Sequence, residues 1–230
     1  MHRPIALASV LLLAGLVTLG ASAGASHATL RLTVVACATL VGAPGPVRPG
    51  PARVEVTVPA RYRGRVALYV DRDHRLVPVL APAHWRCRAE DAADGQAGLE
   101  VSAPGGARGG LVVASLDGPC RSCVAADVCR LSAVSGYSGS SAGACPASPA
   151  GLRATFLSGS RWSRRALVSF RAARLARVPY GAWPSRMPVE AITRGTMAYD
   201  LSASPWARIV TCALPRDLAG LCGTVVARGG

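Results

Sequence analysis

One serine of the 230-residue chain has the spacing of a hydrolase nucleophile. Gly139-Ser140-Ser141-Ala142-Gly143 matches the G-x-S-x-G pattern, in which a strand-to-helix turn exposes a serine for attack on a carbonyl carbon. That mechanism needs a catalytic histidine later in the chain. All the histidines precede Ser141, the last of them being His84. This order excludes an α/β-hydrolase, and we interpret the segment as a Gly/Ser loop.

A second segment has the residue types of a metal site. Asp71-Arg72-Asp73-His74 places two carboxylates and an imidazole within four residues, and such oxygen and nitrogen ligands bind divalent cations. Arg72 and Arg75 would compete as counter-ions, so the sequence favours a hairpin turn. No two of the twelve acidic residues stand out as an acid–base pair. We predict no catalytic residue, no metal and no cofactor, and a secreted hydrolase with a site not visible in the sequence is the alternative.

Cysteines are the third group that could do chemistry. An even number of them in an exported chain favours disulfides, and eight cysteines allow too many pairings for the sequence to choose one. Cys120-x2-Cys123 could also contribute to a zinc site or act as a redox dithiol. No second close pair supports zinc, and no helical pattern follows Cys123, as a redox motif requires. The disulfide candidates are Cys37, Cys87, Cys120, Cys123, Cys129, Cys145, Cys212 and Cys222.

Arginines form the fourth group. The chain has 26 basic residues against 12 acidic ones, and no acidic residue occurs between Asp127 and Glu190. Phe156, Trp162 and Phe170 lie among the arginines of this window. Arginine binds phosphate or carboxylate with two parallel hydrogen bonds and stacks on aromatic rings, so the window suits an anionic partner. The predicted polyanion-binding residues are Arg153, Arg161, Arg164, Arg165, Arg171, Arg174 and Arg177. The alternative is a solvated basic face that only keeps the protein in solution.

The beginning of the chain predicts export. Met1-His2-Arg3 is a basic start, residues 5–19 are apolar, and Ala21-Ser22-Ala23 fits a cleavage site. This pattern is typical of a secretory signal peptide, because the apolar run is too short to span a membrane. Val34-Val35-Ala36-Cys37 resembles a lipobox, but Arg31 and a polar spacer separate it from the apolar run, which argues against lipid anchoring at Cys37.

Short strands must position these groups. Runs rich in Val, Leu and Thr recur between Pro and Gly turns, without helical periodicity, and predict a mainly β protein with an antiparallel β-sandwich-like fold. The strands are expected at Thr29–Leu40, Arg53–Val58, Arg65–Val70, Arg75–Leu80, Trp85–Ala89, Leu99–Ser102, Leu111–Ser115, Leu152–Leu157, Ala166–Arg171, Gly195–Leu201, Ala207–Ala213 and Gly223–Ala227.

Four regions follow from this pattern. Residues 1–25 are the expected signal peptide and 26–116 a β-sandwich-like region. Residues 117–150 form an irregular, crosslinked loop rich in Cys, Gly and Ser, because apolar periodicity is weak there. Residues 151–230 form a basic β region, and the sequence leaves open whether it completes the same domain.

Scattered landmarks resemble a group of uncharacterised secreted bacterial proteins. They are Ala83-His84-Trp85-Arg86-Cys87, Cys120-x2-Cys123-x5-Cys129, Gly195-Thr196-Met197-Ala198-Tyr199 and Thr211-Cys212-Ala213-Leu214-Pro215 with Cys222. The resemblance implies an exported, disulfide-bonded domain and transfers no catalytic residue.

The sequence therefore predicts an exported, disulfide-stabilised binding or interaction protein. Its expected partners are anionic cell-envelope polymers or a membrane surface of anionic lipid headgroups, reached through the basic tract. Nucleic acid is disfavoured because the chain has no recognised nucleic-acid-binding motif. The sequence gives no indication of the oligomeric state.

Overall fold

The computed structural model describes residues 26–41, 52–71, 76, 78–92, 96–106, 109–118, 121–132, 148, 151–172 and 192–228. Several predictions lie outside these residues. They concern the signal peptide, the G-x-S-x-G segment, His74, Cys120, Cys145, Arg174 and Arg177.

Strands dominate the described residues. In chain order they are β1 (His27–Ala36), β2 (Ala38–Val41), β3 (Arg53–Pro59), β4 (Val66–Val70), β5 (Val79–Pro82), β6 (Arg86–Asp91), β7 (Ala97–Ser102), β8 (Leu111–Asp117), β9 (Arg153–Ser158), β10 (Arg165–Ala172), β11 (Thr193–Asp200) and β12 (Trp206–Ala213). Two α-helices accompany them, α1 (Arg121–Ser132) and α2 (Leu221–Arg228), together with a short 3-10 turn at Ala60–Tyr62.

The strands form two sheets, which confirms the mainly β, sandwich-like prediction. One sheet has the order β3-β1-β4-β5, and the other has the order β2-β6-β7-β8-β12-β11-β10-β9. Most neighbours are antiparallel, but β1 pairs with β4 and β2 with β6 in parallel. Strand β12 pairs with β8 along seven residues, so strands from both sides of the 117–150 region belong to one sheet.

Cys37 is the point where the chain crosses between the sheets. It separates β1 in the small sheet from β2 at the edge of the large one. Its Sγ is bonded to that of Cys87 on β6, with Cα atoms 5.3 Å apart, and it is fully buried. Because the Cys37 sulfur is in this bond, it cannot carry a lipid, in agreement with the sequence prediction.

The other defined bridge joins Cys212 on β12 to Cys222 on α2. Cys123 and Cys129 on α1 are also disulfide-bonded. This chemistry indicates an oxidising, extracytoplasmic environment. It also contradicts a zinc site that would use Cys123 as a thiolate ligand.

Two hydrophobic cores lie on opposite faces of the large sheet. The first packs between the two sheets and includes Leu80, Leu99 and Val112. The second lies under α1 and includes Val168, Phe170 and Met197. Side chains alternate between the faces of a strand, so β8 supplies residues to both cores. Because every second side chain of β9, β10 and β11 packs in or against the second core, the side chains between them point away from it.

Both helices differ from the sequence prediction. The expectation that no helix follows Cys123 is wrong, because Val124, Val128 and Leu131 are spaced to share one helical face and all three are buried in the second core. The strand expected at Gly223–Ala227 is wrong as well. Tertiary context overrides the β propensity of that Val-rich run, because Leu221, Cys222 and Val225 pack into the first core in helical form.

Trp85 is held in a structural position beside Gly110. Gly110 has φ +132°, and a Cβ there would lie 2.5 Å from the Trp85 ring. The buried Tyr69 hydroxyl donates to the Pro82 carbonyl (2.8 Å) and accepts from the Trp85 N–H (3.1 Å). These contacts fix the turn between β5 and β6, where His84 has φ +64°.

Candidate functional site

The side of strands β9–β12 that points away from the second core carries mostly polar side chains. In β10, Ala166, Val168, Phe170 and Ala172 are buried in that core, so the residues between them point to the opposite side. The same alternation, carried through the strand pairing, defines this outer face on β9–β12. Its members outside the first core are Arg153, Thr155, Ser158, Arg165, Leu167, Ser169, Arg171, Arg194, Thr196, Ala198, Asp200, Trp206 and Arg208. Val210 and Cys212 on β12 lie on the same side but are buried in the first core, where Cys212 is bonded to α2.

Three arginines lie side by side on this face. Arg171 on β10 pairs directly with Arg153 on β9 and with Arg194 on β11. Neighbouring strands are about 4.8 Å apart, so the three side chains start from one line across the sheet. All three are exposed. We call them the arginine row.

The arginine row is electrostatically unfavourable without a partner. Like charges directly opposite each other in a sheet destabilise it by roughly 0.2–1 kcal/mol per pair. Asp200 is the one acidic residue of the outer face, and it lies six residues along β11 from Arg194. A bound anion would remove the repulsion, and three guanidinium groups offer several donors in bidentate geometry.

A line of small hydroxyl side chains runs next to the arginine row. Ser169 pairs with Thr155 on one side and with Thr196 on the other. Thr155 is exposed and Thr196 is almost fully buried. Short hydroxyl side chains do not cover the guanidinium groups, and the exposed Thr155 can donate to an anion itself.

An ion pair between Arg165 and Asp200 lies at the other end of the face. The Arg165 Nε donates to the Asp200 Oδ2 at 2.5 Å, while the Arg165 side chain is 77% exposed. Hydrogen bonds from Ser202 hold the pKa of the Asp200 carboxyl below its usual value, and Arg165 lowers it further. Asp200 is therefore a carboxylate at neutral pH, and the terminal N–H groups of Arg165 remain donors towards solvent.

A groove of about 500 Å³ lies at this end of the face. Its walls combine the ion pair with an aromatic and several small side chains. It is lined by Ser158, Arg165, Ala166, Leu167, Ala198, Tyr199, Asp200 and Trp206. Its volume falls within the range of small-ligand sites in proteins.

Two tryptophan rings are in contact with arginines, one in the groove and one in the turn between β9 and β10. The Arg208 guanidinium lies 5.6 Å from the centroid of the Trp206 ring. In the turn between β9 and β10, Arg161 lies 4.8 Å from the Trp162 ring, and Trp162 is 74% exposed. Exposed tryptophan beside arginine is common at binding surfaces.

The structure places the predicted polyanion-binding residues as follows. Arg153, Arg165 and Arg171 belong to the outer face, while Arg161 and Arg164 lie in the turn that leads into β10. The aromatic residues predicted to accompany them are divided: Trp162 is exposed, and Tyr180 and Trp183 lie outside the described residues. Phe170 is buried in the second core and Phe156 packs against it, because they point to the opposite side of their strands.

Sequence reasoning missed Arg194, Trp206 and Arg208. Arg194 and Arg208 lie after the acid-free window that drew attention to the other arginines. The alternation of β10 was visible in the sequence. The register that sets Arg171 between Arg153 and Arg194 depends on the pairing of strands far apart in the chain.

A carboxyl pair in the interior also escaped the sequence analysis. Asp117 at the end of β8 is 5% exposed and lies next to Asp127 on α1. Burial, followed by the neighbouring Asp117 carboxyl, raises the pKa of Asp127 to about 9, although Arg130 lowers it. Asp127 therefore keeps its proton at neutral pH, next to a second buried carboxyl.

This pair has the residue types of an acid–base catalyst, but Asp117 is buried and Asp127 is only partly exposed. Ser115, on the same face of β8, is 2% exposed and its hydroxyl makes no hydrogen bond to a described residue. The groove described above is lined by other residues. We therefore treat the carboxyl pair as part of the packing between the sheet and α1.

Replacing Asp127 by Asn is expected to stabilise the protein at neutral pH. Between about pH 4 and pH 9 the unfolded Asp127 is ionised while the folded one keeps its proton, so folding stability falls as pH rises. An amide keeps a donor for Asp117 without that penalty. Unfolding in urea should show a gain of roughly 1–4 kcal/mol at pH 7 that shrinks towards pH 4.

The matched control for this variant is Asp217→Asn. Asp217 is an exposed carboxylate, 3.5 Å from Arg65, and its loss should change stability little at any pH. A stability difference between Asp127→Asn and the unmodified protein that does not depend on pH would contradict the raised pKa of Asp127.

His84 is exposed in the turn between β5 and β6 and has no hydrogen bond to a described carboxylate or serine. Asp71 follows β4, which pairs antiparallel with β5, and its Oδ1 accepts a hydrogen bond from the Leu76 N–H at 3.2 Å. Within the part of the chain that the structure covers, no three Cys, His, Asp or Glu residues converge as metal ligands.

Comparison with known proteins gives no match to a family model, a curated protein or a solved structure. Among the described helices, none is both long and apolar enough to span a membrane.

Proposed function

We propose that the protein is exported and binds an anionic polymer of the cell envelope through its outer face. The arginine row is the observation that carries this proposal. Three exposed guanidinium groups in one line, without a described carboxylate beside them, have the geometry of a site for a chain of negative charges.

The arginine row has a rigid support. Arg153, Arg171 and Arg194 are on strands that the second core holds in place, so their backbone positions are fixed before a ligand arrives. Sites on strands are more precise than sites on loops. The disulfides suit such a protein outside the cytoplasm, where reducing systems do not act on it.

A membrane surface is the second candidate partner, and two exposed side chains favour it. Leu157 is 57% exposed and Trp162 is 74% exposed, and Arg161 and Arg164 flank the tryptophan. Tryptophan beside basic residues is typical of the interface between lipid headgroups and water. Vesicles of anionic lipid should therefore be tested beside anionic polymers in each binding experiment.

Salt dependence tests the electrostatic basis of the proposed function. The purified protein should be retained on an immobilised anionic polysaccharide at about 0.1 M NaCl and released by about 1 M, since the screening length falls from about 10 Å to about 3 Å over that range. A neutral polysaccharide on the same matrix is the control. Equal retention on both matrices would contradict the proposal.

A further inference from the structure

The groove beside Trp206 has features that the arginine row does not explain. It offers an aromatic ring, small apolar side chains and an Arg–Asp pair within one depression. A simple charge-binding surface would need only the guanidinium groups. The groove therefore points to a ligand that has an apolar face and hydroxyl groups as well as charge.

Sugar rings match this combination. The C–H faces of a pyranose pack on an indole ring, and its hydroxyl groups both donate and accept hydrogen bonds. Asp200 supplies an acceptor and Arg165 supplies donors, with the Arg165 Nε 2.5 Å from the Asp200 Oδ2. Trp206 supplies an amphipathic aromatic surface. A few placed polar groups in a mostly apolar depression are the usual composition of a small-ligand site.

The distance from the groove to the arginine row requires an extended ligand. Leu167 and Ala198 line the groove as a cross-strand pair, and Arg171 and Arg194 form a pair four residues away on the same two strands. At about 3.4 Å per residue these pairs are about 14 Å apart. A single sugar acid cannot contact both, whereas a chain of linked sugars can.

We propose that the outer face binds an acidic polysaccharide, with a sugar ring in the groove and carboxylate groups on the arginine row. This inference rests on the proposed function and narrows its ligand to polymers of sugar acids. Arginine is suited to carboxylates because the two planar groups form paired hydrogen bonds. Between the two places, Ser169 and the exposed Thr155 present further hydroxyl groups to the bound polysaccharide.

The test compares three probes on the full protein: polygalacturonate, inorganic polyphosphate and phosphatidylglycerol vesicles. Trp206→Ala should weaken polygalacturonate binding about tenfold and leave polyphosphate binding within about twofold, because polyphosphate needs only the arginines. Trp206→Phe should retain most of the affinity. Ala198→Leu, which fills the groove without removing Trp206, should weaken polygalacturonate binding as Trp206→Ala does.

Trp162→Ala is the matched control, since Trp162 is exposed but does not line the groove. Its polygalacturonate affinity should be unchanged. Unchanged affinity for Trp206→Ala and Ala198→Leu, or equal losses on polygalacturonate and polyphosphate, would overturn the sugar site. Binding of polyphosphate or vesicles without polygalacturonate would overturn it and leave an anion-binding face. Failure of the unmodified protein to bind any of the three would instead refute the proposed function.

Discussion

Changing Arg153, Arg171 and Arg194 together to Gln should lower the affinity for an anionic polysaccharide about a hundredfold. Each charge-assisted contact contributes on the order of 1 kcal/mol at an exposed site, and three such losses correspond to about two decades in Kd. Stability should not fall, because the change removes repulsion between neighbouring strands. Equilibrium titration of labelled polymer and urea unfolding measure the two effects separately.

A control with the same change of net charge separates the site from overall basicity. Arg53, Arg63 and Arg216 are exposed and lie outside the outer face. Their joint replacement by Gln should reduce affinity only a fewfold, through the weaker long-range field. Equal losses for the two triple variants would mean that net charge, and not the arginine row, drives binding.

Removing the Cys37–Cys87 bridge should lower the free energy of unfolding more than removing the Cys212–Cys222 bridge. The bridge closes a loop with a sequence separation of 50 residues, for which the chain-entropy estimate is about 4 kcal/mol. It also fixes the point where the chain passes between the sheets. Replacement of both cysteines by Ala should lower the urea midpoint strongly, and Ala is preferable to Ser because Cys37 is fully buried.

The Cys212–Cys222 bridge is the internal comparison. Its sequence separation is 10 residues, and the same estimate gives about 3 kcal/mol. The double Ala variant of this pair should therefore be the more stable of the two. The opposite order would show that loop length does not set the contribution of these bridges.

Part of this fold could be predicted from sequence. The even count of cysteines and the short Val-rich runs indicated a disulfide-bonded β protein. The sequence also shows the alternation from Ala166 to Ala172 that corresponds to the buried side of β10. Such patterns are local, because a strand with one buried face repeats every two residues.

The rest depends on distant parts of the chain. Arg171 meets Arg194 only because β10 and β11 pair in one register, and a shift by one residue would turn Arg194 to the other face. Val225 lies in a run with strand propensity, yet its packing against the first core makes α2 a helix. Asp117 and Asp127 come together because α1 folds back over the sheet, a placement that residue types alone do not give.

Arginine footprinting tests the central claim most directly. The protein is treated with phenylglyoxal in the presence and absence of polygalacturonate, and the modification of each arginine is quantified by peptide mass spectrometry. We predict protection of Arg153, Arg171 and Arg194, with unchanged modification of Arg53 and Arg63. Protection spread evenly over all exposed arginines, or absent from the arginine row, would contradict a binding site on the outer face.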